Sequence, residues 1–141
     1  DGRWLVTSAA EGARLYDVTA GVPDGSGEWG AVGIIGYDWR REPECTWSPL
    51  TTGAAFLGAT SIVAIAHEGE LIECIDIRDV LDARGNLENP GKPGDVKPKL
   101  VVPGSGRSEG VLATSPDGRW IATGGRRGFV VIDVDRFFDR S

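Results

Sequence analysis

The 141 residues are 40% hydrophobic and 26% charged, an ordinary balance for one globular domain. The formal charge of −6 and a pI near 4.8 argue against a general nucleic-acid or anionic-membrane binder, which would carry a basic excess. No apolar run approaches the ~18 residues of a spanning helix, and the opening residues do not read as a signal segment.

In chain order, Asp1-Gly2 is turn chemistry, and Trp4–Thr7 with Ala13–Thr19 reads as a hairpin around Glu11-Gly12. The stretch 21–27, GVPDGSG, is a loop. Glu28–Gly36 resumes an extended apolar pattern through Trp29, Val32, Ile34 and Ile35, and YDWRREPE (37–44) is a charged connection. Cys45–Pro49, CTWSP, has the shape of LATSP (112–116), a short strand ending in Ser-Pro. Ser61–Ala66 and Leu71–Ile77 are two β-branched runs divided by His67-Glu68-Gly69.

Residues 78–99 form a long polar insert with three prolines, with a short helical turn expected at 79–83. Leu100–Val102, Val111–Thr114, Trp120–Thr123 and Phe129–Asp135 complete the strands. No amphipathic helix of normal length is present, so the fold class is all-β. The 21 glycines, well above the usual ~7%, fit many tight turns.

The chain repeats itself. DGRWLVTSAAEGARLYDV (1–18) matches Asp117–Val134 at eight of eighteen places without a gap. These include the whole of Asp-Gly-Arg-Trp and the closing Asp-Val. Gly12, Gly69 and Gly128 recur at spacings of 57 and 59 residues, which marks a third, more divergent copy in the middle. Each copy reads as four antiparallel strands, a unit that buries its faces only against neighbouring copies.

Ser115-Pro116-Asp117-Gly118-Arg119-Trp120, Thr123-Gly124 and the run closing on Ile132-Asp133 resemble the WD-repeat (WD40-like) β-propeller family. Tyr16-Asp17 and Ile75-Asp76 stand at the matching places. The resemblance implies a propeller segment: a blade remnant at 1–36, a blade at 37–102 with a long loop at 78–99, and a partial blade at 103–141. Rings close with about four to eight blades, so the chain is expected to belong to a larger ring. The remaining blades would come from the same or other chains.

The absence of any Met fits a processed or excerpted chain. The two cysteines have neither metal-ligand spacing nor the density of a secreted disulfide scaffold, which favours an intracellular origin, cytoplasm or nucleus. In the blade arrangement Cys45 and Cys74 fall two strands apart, about 9.6 Å. That lies beyond the ~7 Å reach of a disulfide, so free thiols are expected.

Two catalytic-looking strings lack their context. Gly25-Ser26-Gly27-Glu28-Trp29-Gly30 matches the dinucleotide fingerprint but follows a loop and precedes an extended run. Gly106-Arg107-Ser108-Glu109-Gly110 matches the hydrolase elbow, which needs a helix after it, where a strand is read. His67 is the single histidine; no motif supplies it with a nucleophile, and a polar turn residue is the plainer account. No metal, cofactor or catalytic residue is assigned.

The resemblance places Tyr37, Trp39, Arg40, Arg41, His67, Arg107, Arg126 and Arg127 on loops of one face, a candidate protein-binding set. Arginine forks there suit an acidic or phosphorylated peptide. The same loops carry Glu11, Asp38, Glu42, Glu44, Glu68 and Glu109, so a mixed solvated surface is the plainer alternative. Trp4 and Trp120 stand at equivalent strand starts and read as structural, as does Trp47. The expected function is a non-catalytic scaffold for a protein or peptide partner, without nucleic acid or membrane. The alternative is a lactonase-like or redox propeller enzyme whose active site lies in blades outside this sequence.

Overall fold

The computed structural model describes residues 3–9, 12–20, 33–37, 51–67, 71–81, 100–103, 108–125 and 128–137. These residues form ten strands and short 3-10 turns, in three antiparallel sheets. The first sheet is β1 (Trp4–Ala9), β2 (Gly12–Asp17) and β3 (Gly33–Ile35). The second is β4 (Thr51–Phe56), β5 (Ile62–His67), β6 (Leu71–Asp76) and β7 (Leu100–Pro103). The third is β8 (Ser108–Thr114), β9 (Trp120–Gly125) and β10 (Gly128–Asp133). Within each sheet, strands follow one another in chain order as neighbours. The all-β expectation holds.

Strand chemistry follows each sheet's neighbours. β5 (IVAIAH) is buried at every position and β6 (LIECID) at all but Leu71, because the second sheet is covered on both faces. A strand covered on both sides reads as a continuous apolar run, not as an alternation. One core joins Ala13, Leu15 and Ile35 of the first sheet to Val63, Ile65, Ile75 and Ile77 of the second, with Trp4 and Val6 packed against it. Another joins Leu57, Ile62, Ala64, Ala66, Ile72 and Cys74 to Ile121, Ile132 and Val134 of the third. Each fully buried Leu, Ile or Val contributes about 1.5–3 kcal/mol relative to exposure.

The second sheet opens on Thr51–Phe56, which corrects the expectation that Cys45–Pro49 supplies its first strand; that segment lies outside the described residues. The turn after β4 is Leu57–Thr60, closed by Leu57 N–H to the Ile62 carbonyl at 2.8 Å and Thr60 N–H to the Leu57 carbonyl at 3.1 Å. The turn after β8 carries the same two bonds, Ser115 N–H to Trp120 O at 3.0 Å and Gly118 N–H to Ser115 O at 2.9 Å. The two turns share their bonds but not their residues. Gly58 takes φ +57 at the position Pro116 holds in the other, so one needs glycine where the other accepts proline.

Aligned on these turns, Ile62 corresponds to Trp4 and Trp120, a spacing of 58 residues both ways. The strand after the hairpin ends at Asp17, Asp76 and Asp133, spaced 59 and 57. The middle hairpin connection is therefore one residue longer than the others. The helical turn expected at 79–83 falls instead at Ile77–Asp79, matching the 3-10 turns Val18–Ala20 and Val134–Arg136 of the other copies. Among the described residues no helix is long and apolar enough to cross a membrane.

Candidate functional site

Glu73 is wholly buried, in the middle of β6, on the face turned toward the first sheet. A carboxylate in such a place needs hydrogen-bond partners, because burying it without them costs several kcal/mol. It has two. His67 Nε2 lies 2.8 Å from Oε1, and the backbone N–H of Tyr37 donates to both oxygens at 3.4 and 3.3 Å. Tyr37 follows β3, so the contact ties the end of the first sheet to the interior of the second.

Gly36, just before Tyr37, takes φ +141, a conformation L side chains rarely adopt; a Cβ there would only touch Glu73 Oε1, at 3.5 Å. Opposite His67 in the β4–β5 register stands Thr51, whose buried hydroxyl has no hydrogen-bond partner among the described residues.

His67 is 3% exposed and closes β5. The expectation of a histidine in an exposed turn is corrected: Glu73, six residues on and across the hairpin, supplies the partner that lets it be buried. Tyr37 is half-buried, and its amide is brought to the same carboxylate. Two of the residues singled out in the sequence are thus joined through a third that was not. The signal for Glu73 was present in LIECID, where one acid interrupts a run buried on both faces. Trp39, Arg40, Arg41, Arg107, Arg126 and Arg127 lie outside the described residues, as do Trp29, Trp47 and Cys45.

A second polar device recurs in all three sheets. Asp17, Asp76 and Asp133 end the strand after each hairpin, and each accepts from the backbone N–H two residues on, Thr19, Arg78 and Asp135. Each also meets the residue just before the preceding strand. Arg3 reaches Asp17 at 3.3 Å, Ser61 Oγ donates to Asp76 at 2.8 Å, and Arg119 reaches Asp133 at 3.1 Å. In the middle copy the arginine comes from the other side of the aspartate, with Arg78 Nη2 2.6 Å from Asp76. Arg3 and Arg119 also lie over the Trp4 and Trp120 rings, 4.5 and 4.8 Å from the centroids, a cation–π contact.

These contacts set the titration of the aspartates. The Thr19 hydroxyl holds Asp17 below the ordinary carboxyl value. The Arg119 guanidinium does the same for Asp133. Burial pushes Asp76 up, but the hydrogen bonds from Arg78 and Ser61 outweigh it and leave the group low.

Cys74 is a free, buried thiol, as expected for this residue. Burial, with the Glu73 charge beside it, pushes its pKa up to about 12. It faces the third sheet as a small apolar filler.

A cavity of about 530 Å³ opens between the first two sheets, lined by Trp4, Phe56, the Gly58–Ser61 turn, Ile77, Arg78 and Leu81. Its floor is the turn whose opposite side packs on the Ser115–Gly118 turn. No protein-family model, curated protein or solved structure matches this chain.

Among the described residues no group of three or more His, Cys, Asp or Glu is arranged to hold a metal ion. Of the titratable groups described, His67 and Glu73 are closed off from solvent, and Asp17, Asp76 and Asp133 cap turns.

Proposed function

We propose that the chain is a run of WD-repeat-like propeller blades serving as a non-catalytic scaffold for a protein or peptide partner. One observation carries the reading: the same sheet-on-sheet relation occurs twice. The face bearing Trp4, Val6, Ala13 and Leu15 lies on Val63, Ile65 and Ile75 of the second sheet. The corresponding face of the second sheet, Ile62, Ala64, Ile72 and Cys74, lies on Ile121 and Ile132 of the third. A constant step between antiparallel units is how a propeller is built.

A framework whose buried acid and histidine are spent on each other leaves its loops to meet a partner. Trp39, Arg40, Arg41, Arg107, Arg126 and Arg127 are loop residues in this reading, suited to an acidic or phosphorylated segment.

Two measurements separate the parts. A crystal structure should superpose first sheet on second and second on third by one rotation about one axis, and unequal rotations would end the blade reading. Binding to an acidic phosphopeptide library should fall about tenfold or more in the Arg126→Ala/Arg127→Ala variant. Unchanged binding by a folded variant would end the partner reading alone.

A further inference from the structure

The two joints between sheets are built from closely similar surfaces. The second sheet receives the first on Val63, Ile75 and Ile77. The third receives the second on the corresponding Ile121, Ile132 and Val134. The surfaces presented to them correspond as well: Trp4, Val6, Ala13 and Leu15 in one joint, Ile62, Ala64, Ile72 and Cys74 in the other. Apolar burial is non-directional and follows area, so these contacts alone discriminate poorly between one presenting surface and the other. Misassembly between like units is a characteristic failure of repeat proteins.

One polar pair breaks the likeness. Glu73 lies opposite Ile65, where the first sheet has Arg14 opposite Thr7 and the third has Val130 opposite Thr123. The places that correspond to His67 hold Ala9 and Gly125. Glu73 is 0% and His67 3% exposed, with 2.8 Å between Oε1 and Nε2. The bonding is completed across the joint, because the Tyr37 N–H at the end of the first sheet donates to both carboxylate oxygens. At 3.4 and 3.3 Å these bonds are long and add little attraction. A neighbour that brought no donor would nevertheless leave the buried acid short of a partner, which is costly.

We propose that the His67–Glu73 pair is an ordering device. It admits the first sheet, with Tyr37, onto the second, and it penalises any shifted arrangement or like surface that carries no donor to the carboxylate. The proposal rests on the blade reading given above. A buried acid paired with a base is seldom worth more than apolar residues of similar volume, whereas leaving one member unpartnered is strongly unfavourable. That asymmetry is what selection between like surfaces requires: the right joint gains little and a wrong one loses much. Fixing register among apolar surfaces is the best-attested use of a buried polar group.

The double variant His67→Leu/Glu73→Val, which gives the second sheet the valine of the third, should unfold at a urea concentration no lower than the wild-type chain. Trp4 packs in the joint, so its indole N–H reports the arrangement in a nitrogen–proton correlation spectrum, identified by its loss in Trp4→Phe. The wild-type chain should show one such resonance. The double variant should show more than one, the minor ones at about a tenth of the intensity or more.

A single Trp4 resonance in the double variant would overturn the proposal whatever its stability, because the apolar surfaces would then order the sheets unaided. A lower urea midpoint, or a double variant that does not fold, would overturn it too, since the pair would then be a plain stabiliser. Failure of the blade reading shows elsewhere, as unequal rotations between successive sheets in a crystal structure.

Discussion

Gly58→Ala tests the contact that holds the second and third sheets at their spacing. Gly58 sits at φ +57, the left-handed region, which costs an L-residue about 1–2 kcal/mol. A Cβ at this place would lie 2.5 Å from the Pro116 carbonyl oxygen and 2.7 Å from the Gly118 amide nitrogen, where ordinary contact begins at 3.4 Å. Both obstacles are backbone, so relief requires the two turns to part by most of an ångström in a close-packed setting. Overpacking of this kind costs about 1–3 kcal/mol.

The expected loss is about 2–5 kcal/mol, a large part of the ~5–15 kcal/mol that holds a domain folded. It should lower the melting temperature by about 6–20 °C. Gly128→Ala is the control. Its φ is +123 and nothing lies within 4 Å of the added Cβ, so it carries backbone strain alone. Urea unfolding followed by tryptophan fluorescence gives both values. If Gly58→Ala cost no more than Gly128→Ala, the turn-on-turn contact would be refuted.

Glu73→Ala leaves the His67 ring and the Tyr37 N–H without their carboxylate and should cost about 3–5 kcal/mol, read from the urea midpoint. Glu73→Gln keeps the volume and one acceptor oxygen and should cost clearly less; equal losses would mean that the charge and second acceptor oxygen of the carboxylate, not its volume, are what the site needs. The peptide carrying Cys74 should resist iodoacetamide at pH 8 in the folded protein, because a thiol with a pKa of about 12 offers almost no thiolate. It should label rapidly in urea, and rapid native labelling would count against its burial. Asp76 has a folded-state pKa below its ordinary 3.8, so its contribution is present above about pH 4 and is lost as pH falls through the folded value. Asp76→Asn should flatten the stability decline as the pH falls below about 4, and an unchanged slope would place the acid sensitivity elsewhere.

The outer copies were legible because Arg-Trp and the closing Asp-Val use the same residues for the same contacts. Arg3 and Arg119 cover their tryptophans, and Asp17 and Asp133 cap the following turns. The middle copy hid its first strand. TTGAAF has at its centre Gly-Ala-Ala, which has little strand preference of its own, and its turn, Leu-Gly-Ala-Thr, reaches the bonds of Ser-Pro-Asp-Gly through a left-handed glycine at its second place. A pattern sought through proline therefore landed on Cys45–Pro49.

His67 was legible as unusual but not as buried, since its partner lies across a hairpin and partners across a hairpin leave no fixed spacing. The face of the third sheet turned away from the second was half legible. Phe129, Val130 and Val131 read as a strand, but only the arrangement of sheets shows that none of the other described strands covers Phe129 and Val131.

The three aspartate contacts differ in the length of chain they close, and this orders events in time. Arg3–Asp17 and Arg119–Asp133 span fourteen residues, so each forms only once its hairpin has closed, a step of about 1–10 μs in isolation. Arg78–Asp76 spans two residues and needs no hairpin. Trp4 and Trp120 lie under the first two arginines and are therefore local clocks for the outer hairpins. The middle hairpin has no such reporter and gains its order from the sheets that close over it.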